Sequence, residues 1–461
     1  MPTWKVMGLL ALATAAAVTG LSVPQTADAS GFYLPGRGVK PMGRGGAYVA
    51  AGGGNLNSIW YNPANLSLLE GTELVVDTSL VTTQSKFQRA PRTRRNGESE
   101  TYNPVKNQAG PHPIPQVLVG GDTGADGLAW AAGLWAPYGS HITFPEDGAQ
   151  RYSLIDNSKS VFAFLGIAVA YQFNDSFRIG AGFQNMIADI KIINKTSAYT
   201  GLFGRPEDHD LDIFTQITDK DFFAPTGNVG VWFEPVDHFQ IASSVQLPSK
   251  VHDKDAEMKV RFPSHPAFDN AELSNNTVSG TITFPLILRA ALRYSANRFD
   301  VELAGVFEGW SVFEEIPVNP NDIDVENVPG LGGVPIGPLS VPQNWKDSFS
   351  VRLGSHYDFS ESFSLRAGYI FETGAVPPEY YSVFSPDPDK HVFSAGFTYD
   401  FGDIEIDTSA AFYALNNREV TSSQLRQINP IDTEDELATI VGNGTYQTSH
   451  FIAGTGINWT F

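Results

Sequence analysis

The chain has 461 residues, with 30 Lys and Arg against 50 Asp and Glu, which gives a formal net charge of −20. It contains no Cys, so disulfide scaffolds, Cys-ligated zinc sites, iron–sulfur clusters and Cys nucleophiles are excluded. The sequence pI of about 4.8 argues against a nucleic-acid-binding protein, which needs an electropositive face.

The N-terminus has the form of a secretory signal. Lys5 precedes an apolar run over residues 6–23, and Ala27, Asp28 and Ala29 form an A-x-A cleavage site. We predict that residues 1–29 are a signal peptide and that the protein is exported. A membrane anchor is the alternative, but no basic stop-transfer flank follows the apolar run.

No later segment has the length of a transmembrane helix. The longest apolar runs cover residues 128–138 and 161–171, well short of the roughly 20 residues that a helix needs to cross a bilayer. The sequence therefore leaves two classes of protein, an exported soluble β-protein and a transmembrane β-barrel.

Residues 30–71 resemble neither a strand nor an ordinary loop. Glycines cluster at residues 43–46 and 52–54 among scattered apolar residues. The segment could be a periplasmic tail or a plug inside a barrel. We favour a plug, here called the hatch, because the composition is not that of a linker, and we assign residues 72–461 to the barrel.

From residue 72 onward, apolar and polar residues alternate with a period of two. In residues 349–359, for example, Phe349, Val351 and Leu353 alternate with Ser350 and Arg352, which predicts a strand with one apolar face. Short turns and long polar connections also alternate along the chain, as in bacterial transmembrane barrels, and their count predicts fourteen strands. The fold class is therefore all-β: a 14-stranded antiparallel transmembrane barrel with the hatch in its lumen.

Two irregularities interrupt this alternation. The apolar residues change parity near Asn185, which predicts a β-bulge that would turn Asp189 and Lys191 into the lumen. The third strand runs into Pro137, which lacks the backbone donor that a ladder needs. Either this proline opens the barrel wall or it merely ends the strand at the outer rim.

Several basic residues lie on the polar faces of predicted strands and should point into the lumen, because Arg on the lipid face at the bilayer midplane would cost about 2–4 kcal/mol. They could pair with acidic residues such as Glu302, Glu308 and Asp358, or meet the carboxylate of a ligand, and we favour pairing. A basic loop cluster that includes Arg89 and Arg92 could contact lipopolysaccharide or simply be solvated. The basic lumen candidates are Lys191, Arg289, Arg293, Arg352 and Arg366.

Motifs for other functions are missing or incomplete. Gly36 and Gly38 match the first two glycines of the dinucleotide-binding motif GxGxxG, but Pro41 occupies the position of the last glycine. The sequence has no HExxH or GxSxG motif. We therefore expect no enzyme activity, no metal and no cofactor.

The ordered series of sequence blocks resembles the outer-membrane long-chain fatty acid transporter family of FadL/TodX type. The first block runs from Ser30-Gly31-Phe32 to Asn62-Pro63-Ala64. Later blocks are Leu134-Trp135-Ala136-Pro137-Tyr138-Gly139-Ser140, Arg151-Tyr152, Trp345-Lys346-Asp347-Ser348, Leu365-Arg366-Ala367-Gly368-Tyr369 and Pro386-Asp387-Pro388-Asp389.

The resemblance implies passive uptake of hydrophobic molecules, with long-chain fatty acids the default. It implies ligand contacts at Phe32 and Leu34, a hatch shift around Asn62 and Pro63, and lateral exit where strand three kinks at Pro137, Tyr138 and Gly139. Uptake of other apolar compounds, such as aromatic hydrocarbons, and a structural surface barrel stay open as alternatives.

The resemblance also implies a location and partners. We expect a monomer in the bacterial outer membrane, inserted by the barrel assembly machinery and surrounded by membrane lipid and lipopolysaccharide. We expect no nucleic-acid partner.

Overall fold

A computed structural model describes residues 28–29, 37–94, 97–201, 204–328, 332–430 and 438–461. The predicted ligand contacts Phe32 and Leu34, and most of the predicted signal peptide, lie outside these ranges. Within the described ranges, none of the helices has the length and apolar character needed to cross a membrane.

Fourteen antiparallel strands close into a barrel, as predicted. In chain order they are β1 (Thr72–Arg89), β2 (His112–Asp122), β3 (Leu128–Gly139), β4 (Val161–Asn174), β5 (Phe177–Ser197), β6 (Asp212–Val236), β7 (Phe239–Gln246 and Ser249–Arg261), β8 (Thr277–Phe284 and Ile287–Ala296), β9 (Phe299–Glu308 and Glu315–Pro320), β10 (Leu339–Pro342 and Ser348–Ser360), β11 (Phe363–Glu372), β12 (Lys390–Asp400), β13 (Ile404–Leu415 and Arg418–Val420) and β14 (Gly444–Thr460).

Each strand pairs with the next along the chain, and β14 returns to β1. This closing ladder runs without a break from Glu73 opposite Thr460 to Arg89 opposite Gly444. A closed sheet leaves no edge strand, so all backbone donors and acceptors of the wall can be satisfied within the barrel.

Most of the shorter elements lie outside the barrel ladder; the short strand Val105–Lys106 pairs with the outer end of β1. Two α-helical turns, Val39–Met42 and Ser58–Tyr61, and a 3₁₀ helix, Pro63–Leu68, belong to the hatch. Further 3₁₀ turns are His209–Leu211, Pro266–Phe268, Trp310–Val312 and Pro378–Tyr380. Small strands are Asp28–Ala29, Arg92–Thr93, Ser99–Glu100, Val105–Lys106, Glu272–Leu273, Asp324–Val328, Gly332–Pro335 and Gly374–Ala375.

The two faces of each strand meet different environments. On β10, Phe349 and Val351 are more than half exposed, whereas Ser350 and Arg352 between them are buried. The exposed face is the apolar one, as expected for a surface that contacts lipid. The inward-facing predictions for Arg289, Arg352 and Arg366 agree with their burial.

The predicted bulge in β5 is wrong. Even-numbered residues from Arg178 to Ile190 face inward without interruption, and the bulge lies on the neighbouring strand β6, between Asp221 and Ala224. The apolar pattern changes parity because the inner surface itself becomes apolar at Met186. The lumen is therefore not uniformly polar along its length.

Lys191 consequently lies on the side of β5 opposite to the lumen-lining Ile190 and Ile192, and its prediction as a lumen base is wrong. Its Nζ lies 3.7 Å from Oδ2 of Asp156. Asp189 likewise faces away from the lumen, where its Oδ2 lies 2.8 Å from Nζ of Lys220.

Hatch residues 37–69 are almost entirely buried and contact inward-facing barrel side chains. The guanidinium group of Arg44 donates hydrogen bonds to both carboxylate oxygens of Asp300, on β9. The buried carboxylate of Glu302, also on β9, accepts the backbone N–H groups of Val49, Ala50 and Ala51 at 2.8, 3.1 and 2.7 Å. These contacts fix the middle of the hatch to one side of the barrel.

We expect Glu302→Gln to loosen the hatch, because a neutral amide oxygen accepts these three N–H groups more weakly than a carboxylate. The expected loss is about 2 kcal/mol, in the range for a buried charge-assisted hydrogen bond, measured by urea unfolding in detergent. Glu405→Gln is the control, since the Lys40–Glu405 pair is partly exposed and should contribute less than about 1 kcal/mol. Equal losses in both variants would contradict the anchoring role of Glu302.

Candidate functional site

The hatch turns sharply at Asn62 and Pro63, both buried. The Asn62 amide donates to the carbonyl oxygens of Val49, in the hatch, and Val231, on β6, at 2.9 and 3.1 Å. Its Oδ1 atom accepts the N–H of Ala64 and so caps the 3₁₀ helix that Pro63 begins. One side chain therefore joins the corner to the rest of the hatch and to the barrel wall.

Two wall glycines make room for this corner. A Cβ atom at Gly180 on β5 would lie 2.4 Å from the carbonyl carbon of Pro63, and one at Gly230 on β6 would overlap Asn62. The close approach depends on the missing side chains, so the corner and these strands fit each other as a unit.

Beyond the hatch, the lumen is filled by aromatic side chains. Trp60 of the hatch lies 5.5 Å from Phe164 on β4 and 6.4 Å from Tyr138 on β3, between ring centroids. Tyr138 in turn lies 4.7 Å from Phe284 on β8. We call this group the aromatic cluster; its members are Trp60, Trp135, Tyr138, Phe162, Phe164, Phe284, Trp310 and Trp345.

Arg289 enters this apolar region from β8. It is 1% exposed, and its guanidinium carbon lies 4.8 Å from the Trp60 ring centroid, a cation–π distance. None of its three guanidinium nitrogens has a hydrogen-bond partner among the described residues. A buried cation in that state has unused capacity to bind an anion.

The other basic candidates that face the lumen have acidic partners. Arg293 lies 3.2 Å from Asp300, Arg352 lies 3.6 Å from Glu372 and 3.9 Å from Glu308, and Arg366 lies 2.8 Å from Asp407. The structure thus separates one candidate, Arg289, from residues that neutralise one another. Sequence alternation cannot make this distinction, because all four occupy equivalent polar-face positions.

The barrel wall is interrupted between β2 and β3. Their register pairs run from Asp122 opposite Ala129 to Val117 opposite Leu134 and then stop. The following residues of β2, from Gln116 to His112, pair only with β1. We call this interruption, bounded by residues 112–116 and 135–139, the window.

The window coincides with an irregularity in β3. Between the pairs that Trp135 and Tyr138 make with β4, strand β3 has two residues, Ala136 and Pro137, where β4 has one. The extra residue turns both Trp135 and Tyr138 toward the aromatic cluster, where each is at most 3% exposed. The predicted wall break at Pro137, Tyr138 and Gly139 thus coincides with an interrupted ladder.

The opposite edge of the window carries a signal that sequence reasoning missed. Pro113 and Pro115 on β2 have no backbone N–H, so they cannot donate to a neighbouring strand. Proline at alternate positions is compatible with a strand edge that is left unpaired. The sequence pattern His-Pro-Ile-Pro at residues 112–115 could have indicated this unpaired edge of β2.

A cavity of about 410 Å³ lies at the outer end of the barrel. Its walls come from the outer ends of several strands and from five long loops, and most of the lining residues are apolar, which no local sequence pattern reveals. Residues that line it include Ile192, Ile213, Ile217, Met258, Val260, Phe262, Phe268, Ile316, Val325, Ile336, Phe384 and Leu425.

The sequence of residues 20–461 matches the family "Outer membrane protein transport protein (OMPP1/FadL/TodX)". The chain belongs to this family. It is therefore an outer-membrane β-barrel of a family that transports hydrophobic compounds, not a family of enzymes.

Individual relatives agree with this membership. The chain is 22% identical over 309 residues to the "Long-chain fatty acid transport protein" of Escherichia coli O6:H1, an alignment that covers 62% of this chain and 66% of that protein, slightly less than two thirds. A Pseudomonas aeruginosa FadL homologue superposes with a TM-score of 0.73 at 13% identity, covering 94% of this chain and 100% of that one. The Ralstonia pickettii toluene transporter TbuX gives 0.62 at 15% identity, covering 93% and 99%.

In this FadL/TodX-type barrel, Glu207 joins three outer loops. Its carboxylate accepts bidentate hydrogen bonds from Arg89 at 2.7 and 2.8 Å and further ones from Arg92 and Thr439. Much of the basic loop cluster considered for lipopolysaccharide contact is therefore neutralised within the protein. Burial raises the pKa of Glu207, but the bonds and charges of Arg89 and Arg92 outweigh it, so the pKa lies below its ordinary value.

A carboxyl group whose pKa is lowered by folding stabilises the protein above its unfolded pKa, and this contribution is lost as the pH falls through the folded pKa. We expect the outer loops to resist proteolysis at pH 7 and to become sensitive only below about pH 4. Glu207→Gln should make them sensitive at pH 7 while the barrel stays heat-modifiable on gels. Resistance equal to that of the wild type would rule out this role of Glu207.

Proposed function

We propose that the chain is a passive outer-membrane channel that takes up hydrophobic molecules, most specifically long-chain fatty acids. The observation that carries this proposal is that apolar side chains connect the outer cavity with the aromatic cluster. Ile192, Ile316 and Phe384 line the cavity and also pack against the buried cluster that contains Trp60 and the window residues Trp135 and Tyr138. A fatty acyl chain prefers apolar surface to water by roughly 0.8 kcal/mol per CH₂. The acyl chain would lose this favourable free energy in a polar water-filled pore, whereas an apolar path that ends at the membrane keeps the chain in contact with apolar surface.

The proposed route has three stages. Ligand first binds in the outer cavity, then moves to the aromatic cluster, and finally leaves through the window into the membrane. We further propose that Phe32 and Leu34 contact the ligand and that the corner at Asn62 and Pro63 moves when the ligand passes. The two hydrogen bonds from the Asn62 amide support this corner as the joint between the hatch and the wall.

Arg289 favours a ligand with a carboxylate. Its guanidinium group lies beside the aromatic cluster and has no hydrogen-bond partner among the described residues. A carboxylate there would gain charge-assisted hydrogen bonds, while the acyl chain lies along the aromatic rings. Uncharged aromatic hydrocarbons are the second candidate, because they can bind the apolar surface of Trp60 and its neighbours without using the charge of Arg289.

Arg289→Gln separates the two ligand classes. We expect it to weaken binding of a long-chain fatty acid about 10- to 100-fold, since a hydrogen bond to a charged group is worth about 1.5–3 kcal/mol. Binding of an uncharged hydrocarbon of similar size should change less than twofold. Fluorescence titration of the purified protein in detergent measures both.

Arg289→Lys is the matched control, since it keeps the charge and should retain most of the fatty acid affinity. An equal loss for charged and uncharged ligands would show that Arg289 supports the packing of the cluster and does not bind a carboxylate.

Deleting Pro137 tests the window. The deletion removes the one extra residue of β3 and should let its ladder with β4 continue, which draws Tyr138 into register. We expect fatty acid uptake by cells that lack their own transporter to fall at least tenfold while ligand binding to the purified protein persists. Pro137→Ala keeps the extra residue and should transport normally.

Unchanged uptake by the deletion variant would contradict lateral exit at this position. A monomeric state, contact with lipopolysaccharide and insertion by the barrel assembly machinery remain proposals that follow from the family.

A further inference from the structure

A second interruption of the wall lies between β6 and β7. Their lower register pairs end at Asn228 opposite Gln246, and pairing resumes only at Thr218 opposite Glu257. Residues 219–227 of β6 and 247–256 of β7 form no register pair with each other. We call this interruption the seam.

One backbone hydrogen bond still crosses the seam, from the N–H of Leu247 to the carbonyl oxygen of Gly227 at 2.8 Å, and side chains replace much of the rest of the ladder. Ser249 Oγ donates to the carbonyl oxygen of Ala224 at 3.0 Å, and Thr226 Oγ1 donates to that of Leu247 at 2.7 Å. The backbone N–H of His252 donates to Oδ2 of Asp221 at 2.9 Å. The seam is therefore closed, but largely by side-chain hydrogen bonds that can break without unzipping a backbone ladder.

Prolines keep the ladder from re-forming here. Pro225 lies on β6, Pro248 separates the two segments of β7, and Pro285 separates those of β8. They lie in one row across three neighbouring strands: Ser249, next to Pro248, is hydrogen-bonded to Ala224, next to Pro225, and Ser249 pairs with Phe284, next to Pro285. None of the three can donate a backbone hydrogen bond.

The seam joins two apolar environments. On its inner side, Ala224 and Val251 are at most 1% exposed and belong to the same buried cluster as Phe284 and Met186. Large apolar residues flank its outer side and are strongly exposed; they are Phe222 (67%), Phe223 (71%) and Leu247 (49%).

Its height matches the outer boundary of the membrane. Gly227 lies ten residues along β6 from the turn at Asp237, which marks the inner end of the barrel. With a rise of roughly 3.3 Å per residue and a strand tilt near 40°, Gly227 is about 25 Å above that end. The apolar band of such barrels is about 25 Å tall, so the seam begins where the lipid tails of the outer leaflet meet the headgroups.

We propose that the seam is a second opening, through which uncharged apolar molecules dissolved in the outer leaflet pass between the membrane and the lumen. This inference rests on the proposed function as a channel for apolar compounds. Acidic residues outnumber the bases at its margin, which disfavours carboxylates: Asp219, Asp221, Asp253 and Asp255 lie there with Lys250 and Lys254, and Lys220 is already paired with Asp189. Fatty acids use the window, whereas neutral compounds use both openings.

The absence of Cys from the sequence makes a direct test possible. The pair Ala224→Cys and Ser249→Cys places two thiols across the seam, where the native side chain of Ser249 already reaches Ala224. The pair Val231→Cys and Ser243→Cys joins register partners lower in the same two strands and is the matched control. Each pair is introduced into the full-length wild type and into the Pro137 deletion variant.

Uptake of the neutral fluorophore N-phenyl-1-naphthylamine and of oleate is measured in proteoliposomes, before and after reduction. In the Pro137 deletion variant, we expect the oxidised seam pair to lower fluorophore uptake at least fivefold relative to its own reduced form. The control pair should change it less than 1.5-fold. Oleate uptake in the wild-type background should be unaffected by the seam disulfide.

Equal fluorophore uptake by the oxidised and reduced seam pairs in the Pro137 deletion variant would overturn the proposal of a second opening. Complete loss of fluorophore uptake after deletion of Pro137 alone would also overturn it. Both results leave the proposed function intact if the wild type transports. Failure of the wild type to transport either compound would instead overturn the proposed function. If the seam pair does not oxidise, Ala224→Phe, which fills the inner side of the seam, should give the same loss of fluorophore uptake.

Discussion

The structure depends on one constraint, which is that no backbone hydrogen-bonding group in contact with lipid can stay unsatisfied. Closing fourteen strands into a barrel meets this constraint, and the uninterrupted ladder between β14 and β1 shows the closure directly. Any interruption of the wall is then a local exception that needs its own explanation. At the window, Pro113, Pro115 and Pro137 lack the backbone donors that a ladder needs, and at the seam side chains form part of the missing hydrogen bonds.

The lumen of the barrel is divided into two environments. Near the hatch it is charged, and buried carboxylates such as Asp300 and Glu302 hold the hatch through Arg44 and through backbone N–H groups. Farther out, the aromatic cluster makes the side formed by β3, β4 and β8 apolar, whereas Arg352, Glu372 and Lys390 continue the charged network on the side of β10 to β12. The strand pattern of β5 follows this division, because its inner face changes from Arg178 and Gln184 to Met186, Ala188 and Ile190.

This division explains how a plugged barrel can carry apolar molecules. In the proposed route, the anchored hatch closes the aqueous path along the axis, and the window and the seam lead sideways into the membrane. Arg289 is a cation placed among aromatic rings, and its guanidinium group has no hydrogen-bond partner in the described part of the chain. Its position is the strongest structural argument for a ligand that is apolar along most of its length and charged at one end.

Alternation and loop lengths by themselves determined the strand number, the inward direction of Arg289, Arg352 and Arg366, and the irregularity at Pro137, because each of these is set by neighbours along the chain. The same alternation misplaced Lys191, since it assumes a lumen that is polar throughout. Only the tertiary structure decided which bases are neutralised, where the outer cavity forms and where the wall is left unpaired. Those properties depend on partners such as Asp300, Asp407 and Glu372, which distant strands bring together and no local pattern encodes.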